Sequence, residues 1–236
     1  IFKIFFDSVF LNTSISYLFN FMIPTLIMLL VGSSVQDVDE ECFIDDIRLE
    51  DSTYVEKLPG RCTELYLENE DIGVEEAKAI AKVLRDNKNT KLEQLNFRNT
   101  DIGSEGAKAI AEALNENGML EKLDLGVNGL GDEGAKELSE WLKAKYAVKE
   151  LDLTGNEIGD KGADAIAKAL RENKSLVKLD LSYNDIEAAG AIAIAEALKE
   201  HETIEWLSLD YNEIGDEGAS AIAEALKEHK TLKRLF

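Results

Sequence analysis

Two hydrophobic periods alternate along the chain from residue 63 to residue 236. In the stretch LDLTGNEIGDKGADAIAKAL, residues 151–170, Leu151 and Leu153 flank a polar Asp152, which is typical of a short strand with one buried face. The apolar residues that follow are spaced i, i+3, i+4 and i+7, as on one face of an amphipathic helix: Ala163, Ile166, Ala167 and Leu170. The stretch therefore predicts a strand, a turn and a helix.

This stretch recurs at a fixed spacing. The first apolar residue of each copy lies 28 positions after the preceding one: Leu92, Leu120, Val148, Leu176, Ile204 and Leu232. An earlier, less regular copy begins at Leu65. A constant period of this length indicates units that stack in a row, each contacting only its neighbours. Because parallel strands stack about 4.8 Å apart and helices roughly 8 to 10 Å apart, the pattern predicts a curved α/β solenoid with strands on its concave face and helices on its convex face.

Polar residues and glycines mark the junctions within each unit. Residues just before the helices are expected to cap the N-termini of those helices: Ser104, Asp132, Asp160 and Asp216. A glycine column two positions later suits close packing: Gly106, Gly134, Gly162, Gly190 and Gly218. The helices are expected to end at residues that tolerate a left-handed backbone: Asn87, Asn117, Asn173, His201 and His229. The two histidines are interpreted as helix-end residues favourable to the helix dipole rather than as metal ligands.

These residues resemble the leucine-rich repeats of the ribonuclease-inhibitor-like subclass, also seen in NOD-like receptors and in Ran GTPase-activating proteins. The resemblance covers residues 63–236. It implies a horseshoe-shaped arc that serves mostly as a scaffold for binding other proteins. It also implies an internal ladder of asparagines that bond the backbone rather than a ligand: Asn128, Asn156, Asn184 and Asn212. Thr100 and Glu70 occupy that column in the first two repeats.

The chain divides into three expected segments. Residues 1–34 form a hydrophobic leader, residues 35–62 an acidic N-terminal cap, and residues 63–236 six repeats and the start of a seventh. The apolar run FMIPTLIMLLVG is typical of a cleaved signal peptide, with a membrane anchor or a translation artefact as alternatives. Met22 is a possible start of a shorter signal peptide, and the sequence TLKRLF stops within a strand, so we expect a fragment.

The net charge of the chain indicates its kind of binding partner, and its two cysteines relate to the cellular compartment. A net charge of −21 disfavours binding to nucleic acid and favours binding to a protein with a basic surface. Contact with a membrane is expected only through the leader, if it is not cleaved. Cys42 and Cys62 are expected to form a disulfide in a secreted chain, or to stay thiols in a reducing compartment. Asn173 starts an NKS triplet on an expected surface connection, which is either a glycosylation site or a chance match. The leader favours a secreted or cell-surface protein, whereas the repeat subclass, often intracellular, keeps the cytoplasm as an alternative.

The common short signatures of chemistry are absent from the sequence. It contains no P-loop, no G-x-G-x-x-G, no H-E-x-x-H and no C-x-x-C motif. We therefore predict no enzyme activity, no cofactor and no metal site.

Candidate partner-binding residues lie in the strand column whose side chains point away from the core. Asp124, Asp152 and Asp180 recur there in three successive repeats. One interpretation is an acidic ladder that binds basic side chains of a partner. The other is local neutralisation by neighbouring lysines: Lys122, Lys149 and Lys178.

Aromatic residues are concentrated in the last two repeats. Trp206 occupies an outward strand position, and Tyr183 and Tyr211 follow their strands at the rim, where Asp210 also lies. Tryptophan and tyrosine are frequent among binding hot spots, although Trp206 also suits packing against an adjoining repeat. The sequence thus predicts a non-catalytic module that binds a protein on its concave face. A small-GTPase regulator, a NOD-like receptor fragment and a structural spacer are the alternatives.

Overall fold

The structure is a computed structural model that describes residues 40–43, 62–86, 91–145, 147–227 and 229–236, with residues 40–43 described by their backbone alone. All of these residues belong to one compact unit, Asp39–Phe236. The predicted leader, most of the acidic cap, and Asn87 lie outside the described residues. Within the described part, none of the helices combines the length and the apolar character needed to span a membrane.

Eight parallel strands form a single sheet in which each strand pairs with its neighbours in chain order. The strands are Glu40–Phe43 (β1), Cys62–Tyr66 (β2), Gln94–Asn96 (β3), Lys122–Asp124 (β4), Glu150–Asp152 (β5), Lys178–Asp180 (β6), Trp206–Ser208 (β7) and Arg234–Leu235 (β8). Leu123 pairs with Leu151 and Leu151 with Leu179, which confirms the repeat of 28 residues. β1 was not predicted from the sequence.

Six α-helices within the described residues alternate with the strands from β2 onwards and form the second layer. They are Gly73–Asp86 (α1), Gly103–Ala113 (α2), Gly131–Lys143 (α3), Asp160–Glu172 (α4), Ala188–Glu200 (α5) and Gly215–Leu226 (α6). The strand leucines and the apolar helix faces, among them Leu151 and Ile166, are buried together in one continuous core between the layers. This arrangement confirms the predicted α/β solenoid, with strands on the concave face and helices on the convex face.

The glycine column brings neighbouring helices close together. A Cβ atom added at Gly162 would lie 2.6 Å from Ile158 Cγ2 and 3.1 Å from Ala135 Cβ. Both distances are shorter than ordinary van der Waals contact, so a larger residue would push adjacent helices apart. The column at Gly134 and Gly190 is equally crowded.

The predicted N-caps act on a different helix from the one expected. Asp132 Oδ1 accepts hydrogen bonds from the backbone N–H groups of Gly159 and Gly162, at 2.9 and 2.8 Å, where the next helix begins. Asp160 bonds the start of α5 in the same way. The expectation that each residue caps its own helix is therefore wrong, because stacking places each first turn beside the first turn of the next repeat. Ser104 lies in α2 and Asp216 in α6. The N-cap positions of these two helices have no side-chain hydrogen bond.

The residues at the helix ends are extended rather than left-handed, which corrects the second local expectation. Asn173 has φ −72° and ψ 133°, and His201 has φ −94° and ψ 124°. Their side chains hold the following connection instead: Asn173 Oδ1 accepts from Leu176 N at 2.9 Å, and His201 Nδ1 accepts from Ile204 N at 3.2 Å. Asn117 bonds Leu120 N in the same way.

His201 is neutral at physiological pH, so the expected favourable charge at the helix end is also wrong. Its side chain is only 2% exposed. The pKa of His201 is lowered to about 4, mainly by burial and to a smaller extent by the charges of Lys174 and His229. Burial also lowers the pKa of His229. An imidazole that accepts a backbone hydrogen bond at Nδ1 has to be unprotonated there.

Asn173 does not lie on the surface as expected. Its exposed fraction is 0%, and Nδ2 donates to Leu142 O at 3.0 Å and Lys145 O at 2.7 Å. Because Nδ2 is the atom to which a glycan would be attached, the folded repeat has no room for one. Asn173 thus joins its repeat to the preceding one through buried hydrogen bonds.

Candidate protein-binding face

The asparagine column lies below the concave face and joins the repeats through the backbone. Asn156 Nδ2 donates to Leu125 O at 2.9 Å, and Asn156 Oδ1 accepts from Asn128 N at 2.9 Å. Asn128, Asn184 and Asn212 make corresponding bonds to the preceding repeat. Thr100 takes part with its hydroxyl, which donates to Phe97 O at 2.6 Å. This column is therefore occupied by backbone partners.

The aspartate column lies on the concave face in register. Asp124 pairs with Asp152 and Asp152 with Asp180 across adjacent strands. In each case Oδ1 accepts the backbone N–H two residues later, at 2.9 Å from Gly126, 2.9 Å from Thr154 and 3.0 Å from Ser182. These bonds shape the turn after each strand, which is a structural role that the sequence analysis missed.

Arg98 lies within ion-pair distance of two aspartates of this column. Its Nη1 lies 3.8 Å from Asp124 Oδ1 and 3.5 Å from Asp152 Oδ2. Burial and the neighbouring Asp152 raise the pKa of Asp124, and the bond from Gly126, Arg98 and Lys122 oppose that rise. Sequence reasoning missed Arg98 because it belongs to an earlier repeat.

The lysines expected to neutralise the aspartates mostly face other groups. Lys149 pairs with Glu121 at 2.5 Å, and Lys122 lies 4.0 Å from Glu150. Lys178 Nζ lies 4.9 Å from the centre of the Trp206 ring. Among the described residues, no cation forms an ion pair with Asp180, whose Oδ1 also accepts from Ser182 Oγ at 2.5 Å. The negative charge of the half-buried Asp180 is thus not neutralised by an ion pair within these residues.

The predicted aromatic residues form two separate ring contacts. Tyr183 and Tyr211 stack with 4.1 Å between ring centres and 12° between ring planes. They are 56% and 65% exposed. Trp206 is half-buried and tilted against Phe236, with 5.5 Å between the ring centres. The tyrosine pair and Phe236, which is 58% exposed, are therefore exposed aromatic residues of this face, whereas Trp206 packs between its neighbours.

Tyr183 and Tyr211 have a backbone conformation that other residue types adopt more readily. One rim position of each repeat has a positive φ between 53° and 65°: Asn69, Asn99, Val127, Gly155, Tyr183 and Tyr211. Glycine and asparagine adopt this conformation readily, whereas bulky and β-branched side chains do not. The recurrence of Asn and Gly in this column was the available sequence signal, and the sequence analysis did not use it.

Asp210 lies next to the tyrosine pair. Its carbonyl accepts the Tyr183 N–H at 2.9 Å, and its own side chain is exposed. Hydrogen bonding with Tyr211 is the main cause that raises the pKa of Tyr183, to which burial and the charge of Asp210 add. The described residues include no cluster of three or more His, Cys, Asp or Glu that fits a metal ion.

The predicted disulfide joins Cys42 and Cys62, and the structure describes the side chain of Cys62 alone. Cys42 lies in β1, where its backbone pairs with Leu65 of β2. Cys62 begins β2 and is wholly buried. Because the side chain of Cys42 lies outside the described part, the disulfide stays a prediction.

The sequence matches a known protein family. A family model described as "Leucine Rich repeat" matches five stretches: 88–111, 116–139, 148–167, 172–195 and 201–223. No curated protein matches the chain.

Several solved structures are similar to the chain, and the first two share its fold. One described as "Leiomodin-1 Actin-Binding Site 2 (ABS2)" is 24% identical with a TM-score of 0.54, covering 63% of this chain and 86% of its own. The tropomodulin C-terminal domain of Caenorhabditis elegans is 17% identical with a TM-score of 0.54, covering 64% and 92%. A TLR13–ssRNA13 complex is 19% identical with a TM-score of 0.44, and the match covers 78% of this chain and 24% of that one. The repeated sequence and the stacked strand and helix units together show that the chain is a leucine-rich repeat protein.

Proposed function

We propose that this protein is a non-catalytic interaction module that binds a protein partner on the concave strand face. The observation that carries the proposal is the Tyr183–Tyr211 pair, which is stacked, largely exposed, and placed where the backbone has a positive φ. A large aromatic surface at a conformationally unfavourable position contributes little to the stability of the isolated chain.

The energetic argument compares repeats within one chain. A non-glycine residue at positive φ costs on the order of 1 kcal/mol or more, and asparagine is among the residues that tolerate it best. Asn69 and Asn99 occupy the same column in earlier repeats, so tyrosine is not required by the fold. Tyrosine is strongly enriched among interface hot spots, and backbone outliers cluster at functional sites. A role in binding accounts for both features.

The expected partner has a basic surface. Asp124, Asp152 and Asp180 follow one another across the strands, and Asp210 lies at the rim beside the tyrosine pair. The net charge of −21 repels nucleic acid phosphates and attracts basic proteins, increasing their rate of encounter. The preordered strand face limits the conformational entropy lost on association.

We also propose that the protein acts outside the cytosol, as a secreted or cell-surface protein. This rests on the apolar leader and on the predicted disulfide between Cys42 and Cys62. The test is to express the full gene product in eukaryotic cells and determine the N-terminus and the thiol state by mass spectrometry. A secreted chain that starts near Val35 with bonded cysteines supports the proposal, and retention in the cytosol with free thiols contradicts it.

A regulator of a small GTPase and the sensing repeats of a NOD-like receptor would have the same fold. Stimulated GTP hydrolysis in a purified mixture would support the first alternative, and a P-loop upstream in a longer gene product would support the second. Actin is a further candidate to assay, because one structure of the same fold is described as an actin-binding site. That identity of 24% supports a shared fold alone.

The decisive experiment removes the tyrosine rings without harming the fold. In the double variant Tyr183→Asn, Tyr211→Asn, each new residue suits the positive φ, so we expect unchanged or higher stability and a loss of binding. Val127→Asn is the matched control, because it makes the same kind of change in the same column outside the tyrosine pair. Wild type and both variants serve as baits in quantitative capture, and each captured protein is then purified for direct affinity measurement. Equal binding by the double variant would overturn the proposal.

A further inference from the structure

The concave face already holds one guanidinium group, which belongs to the chain itself. Arg98 reaches across Gly126 and lies within ion-pair distance of two carboxylates from successive repeats, Asp124 and Asp152. A Cβ atom at Gly126 would approach Arg98 Nη1 to 2.4 Å, so the absence of a side chain there makes room for the arginine. The fold can therefore bind a guanidinium between carboxylates of neighbouring repeats.

Two further aspartates follow along the face in successive repeats. Asp180 ends β6, and Asp210 follows β7 in the next repeat. Neither carboxylate forms an ion pair with any cation in the described ranges, in contrast with Asp124 and Asp152. Ser182 links Asp180 to the tyrosine pair along the chain, because its N–H and Oγ both donate to Asp180 Oδ1 and it directly precedes Tyr183.

The exposed tyrosine pair lies close enough to Asp210 for that charge to act on Tyr183. Tyr183 follows Asp180 by three residues, and its N–H bonds the carbonyl of Asp210. A cation that lies between two carboxylates and against an aromatic ring gains both ion-pair and cation–π stabilisation. The chain shows the second kind of contact internally, since Lys178 lies over Trp206.

We propose that the partner inserts one arginine side chain at this position, with its guanidinium between Asp180 and Asp210 and its plane against the Tyr183–Tyr211 pair. This inference rests on the proposed function and specifies the chemistry of the partner. Arginine fits better than lysine because its planar group has five N–H donors that can reach two carboxylates at once, and because it stacks on aromatic rings. Lysine offers a compact charge that stays strongly hydrated.

The test uses two short peptides, acetyl-Gly-Arg-Gly-amide and its lysine counterpart, titrated into the isotope-labelled protein. Backbone amide signals of Ser182, Tyr183 and Tyr211 report on the site in a two-dimensional NMR spectrum. We expect the arginine peptide to shift these signals, with a dissociation constant weakened roughly three- to fivefold by Asp180→Asn or Asp210→Asn. Glu112→Gln is the control of equal charge change, because Glu112 is exposed on α2 and lies away from the strands.

The outcomes separate the two proposals. Equal responses to both peptides, or no effect of either aspartate variant, would overturn the arginine assignment. If those results coincide with a captured partner that is lost from the double tyrosine variant, the proposed function stands and the inference fails. If the double tyrosine variant also binds like wild type, both fail.

Discussion

Asp132 of one repeat caps the helix of the next repeat by accepting the N–H of Gly162 at 2.8 Å. The bond therefore crosses an interface between repeats and does not stabilise the helix that contains Asp132. In a stack where each unit contacts only its neighbours, such bonds couple the unfolding of adjacent units. Asp160 makes the equivalent bond to Gly190 at 2.7 Å, so the coupling extends over three successive helices.

Replacing Asp132 with alanine is expected to lower the free energy of unfolding by about 1 kcal/mol, the usual contribution of an N-cap side chain. Asp216→Ala is the matched control, because Asp216 has the same position in α6 but makes no hydrogen bond within the described part of the chain. Both variants lose the same interaction with their own helix dipole, so the difference between them isolates the cap. Urea unfolding followed by circular dichroism measures it. Equal losses in the two variants would contradict the cross-repeat cap.

The sequence was sufficient to predict the elements and their stacking. The alternation of Leu151 and Leu153 and the helical spacing after Ala163 depend on burial against the adjacent layer, which is the same in every repeat. Contacts between repeats were harder to predict. The partners of Asp132 and Arg98 are set by lateral packing, and linear spacing does not encode it.

The candidate site was predicted in composition but not in arrangement. The sequence pointed to Tyr183 and Tyr211, which the structure stacks on one another at the rim. It assigned the neutralising charge to lysines, because Arg98 has no counterpart at the same position in the later repeats. It also treated Asn173 as exposed, since the Asn hydrogen bonds that bury it are made to the preceding repeat.

Val127 is expected to be a destabilising residue in the folded protein. It is β-branched, 42% exposed, and has φ 57°, so it combines backbone strain with little burial. Val127→Asn should raise the free energy of unfolding by about 1 kcal/mol. Val127→Ala should recover less, because alanine still has a Cβ atom and lacks the tolerance of asparagine for this region. Thermal and urea unfolding measure both, and a decrease for the asparagine variant would show that Val127 contributes packing that outweighs its strain.

His201 is expected to make the fold sensitive to acid. Its pKa is lowered to about 4 in the folded chain from an ordinary value of 6.5, so between these pH values the unfolded chain binds more protons. Stability contributed by neutral His201 is therefore complete above pH 6.5 and is lost as the pH falls to about 4, by about 3 kcal/mol in total.

His201→Asn should remove this component, because Asn117 and Asn173 hold the same connection in other repeats without titrating. The measurement is the free energy of unfolding at several pH values between 4 and 7.5 for both proteins. Carboxylates titrate equally in both, so the difference reports on the histidine. Asn173→His is the reciprocal control and should add acid sensitivity. Parallel pH profiles for wild type and His201→Asn would contradict the prediction.

Replacing Trp206 tests whether this residue serves binding or packing at the end of the described face. It is half-buried, tilted against Phe236, and covered by Lys178, so both roles are compatible with its contacts. If it contributes to the interface, Trp206→Ala should weaken the affinity for a purified partner by roughly tenfold or more while the unfolding transition stays close to that of wild type. Trp141→Ala is the contrasting control, because Trp141 is only 4% exposed and its loss should cost on the order of 3 kcal/mol of stability. Unchanged affinity together with a clear loss of stability in Trp206→Ala would assign Trp206 to packing and leave the tyrosine pair as the aromatic part of the binding face.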